Sequence, residues 1–195
     1  MMLIAHRINK ISELKKLPAD MAVEIDIRAM GDRLILNHEP HGDGDDLEEY
    51  LKFCSNRFII FNIKEDGIED KVVALADKYG VPDFFLLDVE YPYIYRATRQ
   101  GFRKIALRYS EAEPIEFALD HAGQVDWVWV DTNTMLPLDK DSYNQLKNAG
   151  FKLCLVCPER WGRPEDIKAY RAAMKKDGIE VDAVMTAVKY MPAWS

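Results

Sequence analysis

Cysteine is scarce in this chain. Cys54, Cys154 and Cys157 are the only three in 195 residues. An odd, small set excludes a disulfide scaffold. The pair Cys154 and Cys157 has redox or zinc spacing, yet it lies in the apolar run 152–157, and no second Cys/His pair completes a zinc site. Buried free thiols are expected, as in a reducing cytosol, so a cytoplasmic protein is expected. A basic surplus is also missing: 26 Lys and Arg stand against 33 Asp and Glu, a formal net charge of −7. That argues against a general nucleic-acid or anionic-membrane binder. No apolar run approaches the length of a membrane span, and residues 2–5 are too short for a signal-peptide core. Nothing resembles a linker, a low-complexity tract or a Gly-rich phosphate turn.

What is present is alternation. Apolar runs rich in Val, Ile, Leu and Phe at 3–6, 22–28, 58–64, 84–90, 104–109, 127–131, 153–158 and 183–188 read as strands. Amphipathic stretches at 9–17, 47–54, 68–79, 92–100, 114–122, 140–149 and 164–177 read as helices. Asn9 and Asp46 read as caps, and five of the seven stretches stop at a glycine. Continuous apolar strands alternating with helices mean a parallel sheet covered by helices. Eight strands and seven helices predict an α/β fold, a single (β/α)8 TIM barrel over 1–195, compact and lacking the last helix. An open doubly wound sheet is the alternative. Residues 29–37 interrupt the pattern: Gly31-Asp32 reads as a turn, so the second strand runs into a hairpin ending at His38.

In a barrel the chemistry sits at the C-terminal strand ends. Here these ends are polar: His6-Arg7, Asn37-His38-Glu39, Asn62-Ile63-Lys64, Asp88-Val89-Glu90, Arg108, Asp131, Glu159 and Thr186. Glu24 and Asp26, two apart, share one face of the second strand. Adjacent carboxylates repel unless a cation joins them, and oxygen donors suit Mg²⁺ or Ca²⁺ better than zinc. A solvent-facing edge pair, or a partner for Arg28, is the plainer alternative. His6 and His38 are candidates for a general base and a general acid. Arg7 and Lys64 supply positive charge for a phosphate. His41 reads as loop and His121 as helix surface. Asp43-Gly44-Asp45-Asp46 is not a calcium loop, because Cys54 stands where that loop requires Glu. The aromatic residues Tyr91, Tyr93, Tyr95, Trp127, Trp129 and Trp161 read mainly as packing.

These residues together resemble the glycerophosphodiester phosphodiesterase family of phospholipase-C-like barrels. Ala5-His6-Arg7 resembles its opening, Glu24-Ile25-Asp26 its second-strand Glu-x-Asp, and His38 its following histidine. Asn62-Ile63-Lys64 stands at its Glu-x-Lys, and 181–187 at its last strand. The resemblance implies a metal-dependent phosphodiester hydrolase acting on a small-molecule phosphodiester. Glu24, Asp26 and Asn62 would hold Mg²⁺ or Ca²⁺, Arg7 and Lys64 the phosphate, and His6 and His38 would exchange protons. The sphingomyelinase D-like enzymes share the plan, and 6–9 is similar to their shortened opening. This chain has Ile8 for the family glycine, Asn62 for the acid, Ala187 for the final Asp and Val156 near the seventh-strand Trp, and lacks the Glu-Asn-Thr segment. A neutral amide binds a hard cation more weakly than a carboxylate. The second hypothesis is therefore a catalytically weakened barrel that binds a phosphorylated metabolite or a protein partner. A third is a metal-assisted aldolase or isomerase acting on a phosphorylated sugar.

Overall fold

Each apolar run becomes a strand, some ends shortened and others, at Met2, Met30, Asp83 and Lys152, extended. The computed structural model describes residues 1–195. Its strands are β1 (Met2–Ala5), β2 (Ala22–Met30), β3 (Arg33–Leu36), β4 (Asp45–Asp46), β5 (Phe58–Ile63), β6 (Asp83–Leu87), β7 (Ala106–Tyr109), β8 (Trp127–Val130), β9 (Lys152–Val156) and β10 (Ala183–Thr186). Its helices are α1 (Ile11–Leu14), α2 (Leu47–Leu51), α3 (Glu69–Lys78), α4 (Tyr91–Arg99), α5 (Ile115–Leu119), α6 (Lys140–Asn148) and α7 (Ile167–Asp177). After β10 comes a 3-10 segment, Val188–Ala193, and no α-helix.

The hairpin expected at 29–37 is β2–β3, antiparallel, with Arg28 opposite Ile35 and Gly31 at φ 60° in the turn. All three cysteines are buried free thiols, and burial pushes the Cys54 thiol up to about 12. Gly178 closes α7 in the left-handed region that only glycine enters without cost, and the other four expected glycine stops also have positive φ. Asp46 caps α2 by accepting from the Glu49 N–H at 3.2 Å. Two helices differ from expectation. The stretch 9–17 yields only α1, whose cap is Lys10, and the Ile11 N–H is taken by Asp45 Oδ2 at 2.6 Å. Asn9 is used elsewhere, as described below. The stretch 164–177 opens as a 3-10 turn, Pro164–Asp166, before α7 begins.

The chain divides into two compact units, residues 5–94 and residues 1–4 with 95–195. In the 5–94 unit the strand order is β4-β3-β2-β5-β6. β2 pairs in parallel with β5 along Val23–Ile27 and antiparallel with β3 beyond Ile27. Both faces of β2 are buried: Val23, Ile25 and Ile27 on one, Glu24 and Asp26 on the other. Ile59, Phe61, Phe84 and Leu86 extend the apolar side, each buried apolar side chain stabilising by about 1.5–3 kcal/mol. In the second unit the order is β1-β10-β9-β8-β7, with β7 to β10 parallel. No helix is long and apolar enough to cross a membrane.

Candidate active site in the 5–94 unit

Parallel pairing puts neighbouring residues on the same face, so register decides which polar groups meet. Asp26 lies opposite Asn62, and Glu24 opposite Ile60. Glu24 and Asp26 in the first half of β2 thus cluster with Asn62 at the C-terminal end of β5, all buried. The edge-pair alternative is excluded by that burial. The Arg28 alternative fails too: its guanidinium donates to the carbonyls of His38 (2.9 and 3.2 Å) and Lys64 (3.1 Å). It binds the end of the hairpin to the end of β5.

The turn after β1 brings the first motif in. Arg7 sits at φ 53°, a strained conformation for a non-glycine residue, costing of order 1 kcal/mol. In that conformation its backbone N–H donates to Glu24 Oε2 at 2.8 Å. His6 Nε2 is 3.9 Å from the same oxygen. Asn62 Nδ2 donates to Glu24 Oε1 at 2.9 Å. An ionised carboxylate only accepts, so the amide nitrogen faces Glu24 and Asn62 Oδ1 is turned away from it. Burial, and then the charge of Asp26, push the Glu24 carboxyl above its ordinary range. The hydrogen bonds from Asn62 and Arg7 and the charge of Lys64 act the other way.

Asp26 is held by Asn9, which donates to Oδ2 at 2.8 Å and accepts from the Asp26 N–H at 2.9 Å. Arg7 Nε is 3.8 Å from Asp26 Oδ2, and Lys64 Nζ is 3.5 Å from Oδ1 and 3.1 Å from Asp88 Oδ2. Six of the seven residues expected at the site therefore form one connected set. The seventh, His38, joins it through its backbone on Arg28, and its Nδ1 lies 2.6 Å from Glu39 Oε1. That contact holds the exposed Glu39 carboxyl below its ordinary range. Tyr50 braces the turn from beneath, its hydroxyl donating to the Ile8 carbonyl at 2.8 Å.

Three buried atoms in this set make no hydrogen bond: Asp26 Oδ1, with the Lys64 ammonium at 3.5 Å, Arg7 Nε, at 3.8 Å from Asp26 Oδ2, and Asn62 Oδ1. Unsatisfied buried polar groups cost about 1–3 kcal/mol each, so such a group in a folded protein points to something that completes it. The two oxygens are acceptors on adjacent strands and suit a hard cation. The nitrogen is a donor and suits an anion. No three His, Cys, Asp or Glu side chains converge closely enough to enclose a metal ion. The fit to a cation thus rests on the Asn62 amide oxygen as well as on the two carboxylates.

Two residues important to this geometry were not legible as site residues. Asn9 reads as a helix cap, and only the fold turns it onto Asp26. Asp88 is one of several polar strand ends, and only the fold sets it against Lys64. In the second unit the polar strand ends are satisfied among themselves. Asp131 accepts from Arg108 at 2.8 Å, Trp161 Nε1 at 2.8 Å and Trp129 Nε1 at 3.3 Å. Glu159 accepts from the Ala187 N–H and the Thr186 hydroxyl. Trp127 and Trp129 are buried, as expected for packing, whereas Tyr91, Tyr95 and Trp161 are exposed.

No protein-family profile matches the chain, and no curated protein does. Solved structures do match its fold. A protein assigned as a glycerophosphoryl diester phosphodiesterase from Agrobacterium tumefaciens superposes with a TM-score of 0.72 at 14% identity, over 100% of this chain and 96% of its own. A glycerophosphodiester phosphodiesterase from the same strain gives 0.66 at 14% identity, over 95% and 96%. A glycerophosphoryl diester phosphodiesterase from Parabacteroides distasonis gives 0.65 at 13% identity, over 94% and 81%. At such identities the likeness is one of fold, and it is the fold to which the motifs pointed.

Proposed function

We propose that this chain is a phosphoric diester hydrolase, glycerophosphodiester phosphodiesterase-like and dependent on a divalent cation, Mg²⁺ or Ca²⁺. The same reading takes residues 1–195 as one (β/α)8 barrel, supported by the fold likeness over the whole chain. The observation that carries the function is the mixed set of unsatisfied buried atoms, two acceptor oxygens and one donor nitrogen around Glu24. A cation alone satisfies the oxygens, and an anion alone satisfies the nitrogen. A cation-bound phosphate answers both.

In this reading Glu24, Asp26 and Asn62 hold the cation. When bound, it offsets the negative charge that develops on phosphate oxygens during transfer. Arg7 offers its guanidinium edge to the phosphate, and Lys64 approaches as a compact point charge. Asn9 orients Asp26, and the Arg7 N–H and Asn62 Nδ2 orient Glu24. His6 and His38 divide the proton work. One takes the proton of the attacking hydroxyl, and the other returns a proton to the departing alcohol oxygen. Glu39 against Nδ1 orients the His38 ring and leaves Nε2 for the transfer.

The weakened-barrel alternative also has an observation behind it. Asn62 supplies a neutral oxygen where a third carboxylate would bind the cation more tightly. Release of p-nitrophenol from bis-p-nitrophenyl phosphate distinguishes the two readings. Turnover is expected with Mg²⁺, Ca²⁺ or Mn²⁺, abolished by EDTA, and lowered at least about 100-fold in His6→Ala. Phosphate-ester binding without turnover under any metal, for this substrate and for glycerophosphodiesters, overturns the hydrolase and favours the binding protein.

A further inference from the structure

The row of side chains that carries the candidate site has a third member. Glu24, Asp26 and Arg28 stand two apart on β2, so alternation points them to one face of the sheet. β2 is the middle strand there. On one side the Asn37 N–H donates to the Asp26 carbonyl at 3.1 Å, and on the other the Lys64 N–H donates to the Ile27 carbonyl at 3.0 Å. β3 ends at Leu36 and β5 at Ile63, so His38 and Lys64 lie just past the two ladders, on opposite sides of β2.

Arg28 reaches from one to the other. Its Nε and Nη2 donate to the His38 carbonyl at 3.2 and 2.9 Å, and its Nη1 donates to the Lys64 carbonyl at 3.1 Å. All three nitrogens are used on main-chain oxygens of two segments far apart in sequence. A planar fork can fix both at once, whereas a lysine ammonium is a single point on a flexible stem. The charge also reaches the partner of His38. The Glu39 carboxyl is held below its ordinary range first by His38 and then, from further off, by Arg7 and Arg28.

We infer that Arg28 is a positioning residue for the proposed hydrolysis: its guanidinium sets the distance between His38, which exchanges protons, and Lys64, which holds the phosphate. The inference rests on the reading given above. His38 and Lys64 belong to different neighbours of β2, and the fork makes the two segments move as one. Transfer needs the proton carrier and the phosphate placed together, and a shift of about 1 Å costs about 100-fold in rate. The three bonds of Arg28 leave Glu24, Asp26 and Asn62 untouched, so cation binding does not depend on them.

The test compares Arg28→Lys and Arg28→Ala with the wild type. Arg28→Lys keeps the charge and loses the fork. In both variants kcat on bis-p-nitrophenyl phosphate with Ca²⁺ is expected to fall at least about tenfold. Calcium affinity, read by titration calorimetry, is expected to stay as in the wild type. Added guanidinium is expected to restore part of kcat in Arg28→Ala, and none in His38→Ala or Lys64→Ala. An unchanged kcat in either Arg28 variant overturns the inference. So does a loss that guanidinium leaves in place, or one that follows a loss of calcium affinity. Arg28→Lys decides alone if Arg28→Ala does not fold. Binding of phenyl phosphate keeps the outcome separate from the hydrolase. Lys64→Ala is expected to cost less affinity in the Arg28→Lys background than in the wild type, and additive losses overturn the coupling. Binding without turnover in the wild type removes the hydrolase, and the coupling then decides whether Arg28 places Lys64. Turnover that Arg28→Lys leaves intact removes the positioning role and keeps the hydrolase. Neither binding nor turnover removes both.

Discussion

Asn62 shows how much one atom changes at this site. As an amide it neutralises nothing, yet its Nδ2 stabilises Glu24 and its Oδ1 is left as an acceptor. In Asn62→Asp the donor to Glu24 is lost, and a third negative charge joins two that already repel. The metal-free variant should therefore be less stable than the wild type and gain more from Ca²⁺. The pH dependence has a definite sign. Glu24 is raised above its ordinary 4.5, so the folded protein keeps a proton that the unfolded chain releases. That contribution is full below the ordinary value and is lost as pH rises through the raised one. Thermal unfolding in EDTA should show Glu24 working against stability as pH rises from 4.5, more steeply in Asn62→Asp, with Ca²⁺ flattening both profiles. A variant that responds to Ca²⁺ no more than the wild type would show that the cation is not held here.

At the scale of elements, the site depends on three turns rather than on helices. The turn after β1 carries His6 and Arg7, the hairpin end carries His38, and the end of β5 carries Lys64. Arg28 joins the last two, and Tyr50 supports the first. The loop after His38 is packed without slack. A Cβ on Gly44 would run into the Leu36 carbonyl oxygen, which is backbone and cannot swing away. Gly44→Ala should displace this loop, and with it His38. Activity is expected to fall at least about tenfold, with a stability loss of about 1–3 kcal/mol. Parallel kcat and urea-unfolding measurements check this, and unchanged kcat would place His38 outside the chemistry. Strands and hairpin were legible because their signals are local: apolar runs, Gly31-Asp32, glycine stops. The stretch 9–17 yields only α1, because Asp45, thirty-four residues from Ile11, accepts the Ile11 N–H and Asn9 bonds to Asp26.

At the scale of the whole molecule, the question is whether the two compact units act as one body. If residues 1–195 are a single barrel domain, calorimetry should show one cooperative transition with matching calorimetric and van't Hoff enthalpies. A cation binding within residues 5–94 should then raise the whole transition, because it binds only the folded protein. Two transitions, of which Ca²⁺ moves one, would refute the single domain. The acidic balance of 33 Asp and Glu against 26 Lys and Arg belongs here too. Against that net negative charge, Arg7 and Lys64 stand 3.8 and 3.5 Å from the buried Asp26 carboxylate.

The sequence by itself determined the strand–helix alternation, and it supplied seven candidate site residues, six of which the fold connects. Apolar periodicity, glycine stops and the short motifs at His6, Glu24 and Asn62 are properties of neighbours along the chain. Tertiary structure alone decided the rest. Register set Asp26 beside Asn62, which made a buried amide oxygen part of a charged cluster. Long-range contacts turned Asn9 onto Asp26 and set Lys64 between Asp26 and Asp88. Burial and partnership belong to pairs of residues far apart in sequence. They exist only once the chain has folded and water has been excluded, and no local pattern encodes them.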